Sequence, residues 1–192
     1  HDGWRRNALT ALSRWKILDN LRRSLVPIAL LALLLIGWLL LSPVVSWTLA
    51  VLSMVLVPPL LSALLDLVQK PRDVQLDQHL RAGFKAGMQH FARMALGLAW
   101  LPHEVHYHLD AIVRTLWRVL ISRRHLLLWQ TSSEVERSSS NAPAASWRLM
   151  WFGPVLALTL TAILLIQRPL VLLLAAPLLL LWFFSPSIAW WV

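Results

Sequence analysis

The sequence predicts an all-α membrane fold: two transmembrane helical hairpins, four spans in total, with amphipathic interfacial helices between them. Three observations lead there. Of the 192 residues, 58% are hydrophobic and only 14% charged, with a mean hydropathy of +0.62, whereas soluble domains run nearer ~45–50% apolar and ~25% charged. A chain of this size cannot hide so much apolar surface from water, and the same numbers exclude disorder. Long uncharged runs come in pairs near the two ends. The stretch between them repeats with a helical period, one face polar and one apolar.

Residues 1–23 form a basic segment expected to lie as an interfacial helix ahead of the first span. They hold six Lys or Arg against two Asp. From Ser24 to Leu65, 42 consecutive residues then carry no charge. Ser42-Pro43 divides this run, so residues 24–66 form the first hairpin. Leu25–Leu41 has 17 residues, 12 of them Leu, Val or Ile, each favouring insertion by about 0.3–0.6 kcal/mol at a helix centre. Its helical length of about 26 Å suffices for a short span, even with Pro27 and Gly37 present. Val44–Leu65 is longer and has room to tilt, with a kink expected at Pro58-Pro59.

Residues 67–130 are predicted as amphipathic helices on the cytoplasmic side. Leu76, Leu80, Phe84, Met88, Phe91, Ala95 and Leu98 share one face, opposed by Asp77, Arg81, Lys85, Gln89 and Arg93. The apolar run Phe84–Leu101 is not a fifth span, because Lys85 and Arg93 would each cost about 2.5–3.5 kcal/mol at mid-bilayer. A second amphipathic helix is expected after Pro102, with Leu109, Ile112, Val113, Leu116, Val119 and Leu120 together and Asp110, Arg114, Arg118 and Ser122 opposite. Such helices either lie in the headgroup interface or pack on a domain outside this chain. Residues 131–146, rich in Ser and Ala, read as a flexible linker.

Residues 147–192 supply the second hairpin: Leu149–Ile166, the turn Gln167-Arg168-Pro169, and Leu170–Val192. Pro154, Pro177 and Pro186 are tolerable where neighbouring helices satisfy the freed carbonyls. The two turns carry one basic residue between them, Arg168. The positive-inside bias therefore places both ends and the middle segment in the cytoplasm, with Arg14, Lys16, Arg22, Arg23, Lys70, Arg72 and Arg148 near the span ends carrying the argument. The chain opens at His1-Asp2-Gly3 with no signal-peptide pattern and closes inside an apolar run at Trp190-Trp191-Val192. We expect an excerpt of a longer protein.

Eighteen basic residues against nine acidic ones give a net charge of +9. In so apolar a chain that surplus suits anionic lipid headgroups rather than nucleic acid. The residues expected at the headgroups are Arg14, Lys16, Arg22, Arg23, Arg114, Arg118, Arg123 and Arg124. Asp19, Asp66 and Asp110, each near a basic residue, are expected as paired interfacial carboxylates.

No catalytic, cofactor or metal site is predicted. Cysteine is absent, which removes thiolate chemistry, and neither a nucleophile elbow nor a Gly-rich phosphate loop occurs. His103, His106 and His108 look metal-like, and His103 with His106 would suit a zinc that has a more distant ligand. They do not match His-Glu-x-x-His, so interfacial polar residues are the plainer reading. Twelve Trp raise sugar stacking, yet Trp4, Trp15, Trp47, Trp100, Trp129, Trp147, Trp151, Trp190 and Trp191 fall near span ends, as aromatic belts do. Trp38 and Trp182 lie deeper and are the candidates for a glucan path. Ionisable groups are missing from the spans, which disfavours ion or proton transport.

Several strings carry a resemblance. Ser13-Arg14-Trp15-Lys16-Ile17-Leu18-Asp19-Asn20-Leu21-Arg22-Arg23-Ser24-Leu25-Val26-Pro27 resembles the segment entering the membrane in bacterial cyclic beta-1,2-glucan synthases. Leu109-Asp110-Ala111-Ile112-Val113-Arg114-Thr115-Leu116-Trp117-Arg118, then Ser122-Arg123-Arg124-His125-Leu126-Leu127, is similar to a later stretch of that family. So are Leu180-Leu181-Trp182 and Ser185-Pro186-Ser187-Ile188-Ala189-Trp190-Trp191. The resemblance implies the membrane part of a large inner-membrane enzyme. Its glycosyltransferase domain, on the same chain, would use UDP-glucose and a divalent metal bound elsewhere to build the glucan on a protein-linked primer. Cyclisation would follow, with a phosphorylase-like region controlling length. The transferase's acidic residues and acceptor motif would lie upstream of His1, so none transfers to this chain, and the histidines at 103–108 are not a family feature. The implied role is to anchor and position the catalytic domain on anionic lipid, with the growing glucan a further partner. The alternative is a non-catalytic membrane scaffold or glucan-export partner.

Overall fold

A computed structural model describes residues 10–68, 76–122 and 143–192, and these are all-helical. Helix α1 (Ala11–Leu39) starts at Thr10, whose hydroxyl accepts from the Ser13 N–H at 3.3 Å, a standard N-cap. It runs without a break from the basic segment into the first apolar run. Asp19 helps carry it across that boundary, meeting Arg22 at 2.8 Å and Arg23 at 2.7 Å, the i,i+3 and i,i+4 spacings that support a helix. Helix α2 (Val44–Val68) stays helical through Pro58 and Pro59.

The α1–α2 pair is fastened by two tryptophans. Trp47 donates its indole N–H to the Leu33 carbonyl at 2.7 Å. Its ring occupies the space beside Gly37, where any β-carbon would overlap it. Trp38 donates to the Thr48 hydroxyl at 3.1 Å, and that hydroxyl donates to the Val44 carbonyl at 2.9 Å.

Helix α3 (Leu76–Trp117) is a single helix of 42 residues, running on into a π-helical turn, Arg118–Ser122. This corrects the expectation of two helices separated at Pro102. Proline lacks the N–H that would bond the carbonyl four residues back, here Leu98. In this fold the Trp182 indole N–H bonds that carbonyl instead, at 2.9 Å. Pro102 is itself buried, with Leu101 and Val105 in the core beside it. Tertiary packing thus supplies what the proline removes.

After α3, helix α4 (Pro143–Leu149) begins within the stretch expected to be linker. It bends by 64° into α5 (Phe152–Gln167). Helix α6 (Pro169–Phe183) then bends by 47° into α7 (Ser185–Trp191). The uninterrupted run expected over Leu170–Val192 is therefore broken. Pro186 cannot donate to the preceding turn, while the Ser185 hydroxyl donates back to the Trp182 carbonyl at 2.8 Å. Among the described residues two helices, α1 and α2, are long and apolar enough to cross a bilayer, or up to four spans if each bent pair counts as one.

One core joins both pairs. Leu31, Leu34, Trp38 and Val51 meet Leu101 and Val105 of α3 and Ala157, Leu160, Leu164, Ala175, Leu179 and Trp182 of α5 and α6. The pairs also meet at their turns, where the Arg168 guanidinium donates to the Leu41 carbonyl at 3.0 Å, a cation on the C-terminal end of α1.

Candidate functional site

The feature with most chemical content is the long α3 surface. Its apolar stripe is continuous, but its surroundings change along the length. In the middle, Met94, Ala99, Leu101, Pro102 and Val105 are buried against the bundle. Toward the N-terminus the stripe emerges at Phe84, 73% exposed, with Met88 and Phe91. Toward the C-terminus it emerges at Val113 and Leu116, then at Leu120, 69% exposed. At ~1.5 Å per residue α3 is about 63 Å long, against roughly 20 Å for two pairs of helices packed side by side. It forms a beam whose centre is docked and whose arms overhang with bare apolar faces.

The opposite face of each arm is basic. Arg81 pairs with Asp77 at 3.1 Å, and Arg114 with Asp110 at 2.7 Å, all four side chains well exposed. Lys85, Arg93 and Arg118 follow at helical spacing. Among the residues predicted at lipid headgroups, Arg14, Lys16, Arg22 and Arg23 lie exposed on the first turns of α1, Arg114 lies on α3, and Arg118 opens the π-helical turn. Arg123 and Arg124 lie outside the described residues, as do Lys70, Arg72, Trp4, Trp129 and most of the 131–146 stretch. The Asp19 and Asp110 carboxylates are paired as expected.

The histidines do not converge. The His106 ring stacks on Phe152 at 5.1 Å and meets Trp151 edge-on at 5.5 Å. His103 is partly buried, with its Nδ1 unpartnered. Burial, and then the neighbouring His106, holds its pKa below the ordinary 6.5. Burial pushes the Glu104 carboxyl above its ordinary 4.5, opposed by His108. Among the described residues no three His, Asp or Glu side chains form a group fit for a metal.

Trp38 and Trp182 are fully buried, with ring centroids 5.7 Å apart and planes tilted by 40°. Both indole N–H groups bond inside the protein. The pair is a seam between the two helical hairpins, with no ring face open to a saccharide, and the glucan-path expectation for these residues is set aside.

A groove between α5 and α6 was not anticipated. It encloses about 410 Å³ and is lined by Ala157, Thr161, Leu172, Ala176, Leu179 and Phe183, among others. Its sequence signal is the run of small residues Gly153, Ala157 and Thr161, four apart, which lets helices approach closely in apolar surroundings. At Gly153 the approach is tight: a β-carbon would stand 3.1 Å from both the Ser185 hydroxyl and the Trp182 carbonyl.

No family model matches the chain. Over 189 residues, 97% of its length, it is 33% identical to the cyclic beta-(1,2)-glucan synthase NdvB of Rhizobium meliloti (strain 1021). The chain spans 7% of the length of that protein, so the similarity is to one region of it. The resemblance carried by residues 13–27, 109–127 and 180–191 is thereby borne out.

Proposed function

We propose that this chain is the membrane-anchoring region of a cyclic beta-1,2-glucan synthase, holding a UDP-glucose-dependent transferase domain of the same polypeptide against the bacterial inner membrane. The metal and nucleotide sugar would bind in that domain, outside this region, and the growing glucan would pass close to it. The observation that carries the reading is the α3 beam, with apolar arms bare on one side and cations on the other. That is the pattern of a helix lying in the interface, apolar face among acyl chains and basic face at anionic headgroups. Helices α1 and α2, and the two bent pairs, would cross the bilayer, with the N-terminus, α3 and the C-terminus on the cytoplasmic side. The basic residues of α1 then join the headgroup layer beside those of α3.

The test uses the full-length synthase in cells. Neutralising Arg14, Lys16, Arg22, Arg23, Arg114, Arg118, Arg123 and Arg124 together should loosen the cytoplasmic domain from the membrane and lower glucan yield. Unchanged membrane association and unchanged yield would overturn the anchoring role. Reporters after Leu65 and at the N-terminus should both remain on the cytoplasmic face, and a periplasmic signal from either would refute the topology. A glucan-export partner would instead lower secreted glucan while leaving cell-associated synthesis intact.

A further inference from the structure

The groove between α5 and α6 has the wrong chemistry for a sugar. The hydroxyl of Thr161 on its wall already donates to the Ala157 carbonyl at 2.7 Å, and the other lining residues are Ala, Leu and Phe. A saccharide entering would surrender hydrogen bonds to water and gain few in return, whereas a hydrocarbon chain has none to lose. The dimensions also favour a hydrocarbon. From Leu172 to Phe183 helix α6 rises about 17 Å, close to the ~15 Å hydrocarbon depth of one leaflet. The groove opens outward past Leu158, 58% exposed, in a hairpin whose flanks carry exposed Val155, Ile166, Leu170 and Leu173. In a bilayer its immediate neighbours are therefore lipid tails.

One end of the groove is marked by charge. The Trp147 ring meets Phe183 edge-on at 5.9 Å, and exposed Arg148 is the next residue along α4. Residues 143–192 contain two arginines and no acid. The second, Arg168, is held at the other end by the Leu41 carbonyl. No acidic side chain of residues 143–192 therefore opposes a negative phosphate near Arg148.

The geometry points to a seat for one anionic phospholipid, its acyl chain in the α5–α6 groove and its phosphate on Arg148. The inference rests on the reading above that this hairpin lies in the bilayer. It is tested on full-length synthase in vesicles of phosphatidylcholine with one-fifth phosphatidylglycerol, using spin-labelled lipids of both kinds. The wild type should immobilise labelled phosphatidylglycerol about five-fold more strongly than phosphatidylcholine, the effect of one cation near a surface. Arg148→Gln should erase that preference while leaving chain immobilisation in place. Ala176→Phe, which fills the groove, should remove the immobilised fraction. Equal immobilisation of the two lipids by the wild type, or an unchanged preference in Arg148→Gln, overturns the proposal. So does an absence of immobilised lipid in the wild type, the result expected if another segment of the synthase fills the groove. A nitroxide at Leu165, on the outer flank, reports separately whether the hairpin sits in hydrocarbon through its accessibility to oxygen. A water-exposed signal there sinks the bilayer reading, whereas a lipid-exposed signal with no lipid preference sinks the seat alone.

Discussion

Replacing Trp182 by phenylalanine takes one indole N–H away from a carbonyl that has no helical donor. In the wild type, Pro102 leaves the Leu98 carbonyl without its i+4 partner, and the Trp182 N–H supplies the bond at 2.9 Å. With phenylalanine there, the carbonyl is left unsatisfied within the protein, a cost of about 1–3 kcal/mol. Loss of the tilted contact with Trp38 adds about 0.5–1.5 kcal/mol. The total is about 1.5–4.5 kcal/mol, and its two parts are separable. Pro102→Ala restores an N–H to the helix, so Leu98 no longer depends on Trp182. In that background Trp182→Phe should cost less by the carbonyl's share, about 1–3 kcal/mol, leaving the ring contact. The assay is a double-mutant cycle on the full-length protein, unfolded by added sodium dodecyl sulfate in mixed micelles and followed by far-UV circular dichroism. If the tryptophan substitution costs the same with and without the proline, the two sites act independently, and the explanation for an unbroken α3 is wrong.

Four further outcomes follow from the same geometry. Gly37→Ala should destabilise the α1–α2 pair by about 1–3 kcal/mol, since its β-carbon meets the Trp47 ring, whereas Gly87→Ala, with open space around it, should stabilise α3 by about 0.5–1 kcal/mol; the same unfolding assay reads both. Phe84→Asp and Phe91→Asp together should weaken sedimentation of the α3 segment with the membrane after mild proteolysis between the spans, and unchanged sedimentation would argue against an interfacial arm. His103 has a lowered pKa, so its contribution to stability is full above its ordinary 6.5 and lost as pH falls through the folded value; His103→Gln should flatten the acid side of a thermal-stability profile. Glu104 has a raised pKa, so its contribution is full below 4.5 and lost as pH rises through the folded value, and Glu104→Gln should raise melting temperature at neutral pH relative to the wild type.

Much of this fold is legible in sequence because hydrocarbon and water impose simple patterns. The uncharged runs around Leu34 and Leu160 became core helices, and the period from Phe84 to Leu120 became one amphipathic face. What sequence pattern conveys poorly is compensation at a distance. A proline in a helical pattern signals a boundary unless something elsewhere satisfies the freed carbonyl, and Trp182 lies 84 residues from Leu98. The break at Ser185-Pro186 is the reverse case. There a local Ser–Pro signal is backed by a hydroxyl bond within the same turn, but the surrounding apolar run masks it. The groove between α5 and α6 depends on how two helices are juxtaposed, and small residues four apart reveal a close approach without revealing the space beside it.

Tryptophan usage follows from the same physics. Near a membrane, an abundance of Trp suggests interfacial belts, and Trp15, Trp190 and Trp191 are exposed enough to serve there. Yet Trp38, Trp47 and Trp182 place their N–H groups on a hydroxyl and two backbone carbonyls within the protein. Lipid tails are as apolar as leucine, so helices in a bilayer gain little by hiding leucine from them; close packing and directed hydrogen bonds choose the arrangement instead. An indole does both, joining a large flat surface to one donor. The two bonds within α1–α2 set how that pair is rotated, and the Trp182 bond ties α6 to the middle of α3. The Trp182 bond therefore adds one directed link between the α3 beam and α6 to the apolar core that Leu101 and Val105 already share with that hairpin.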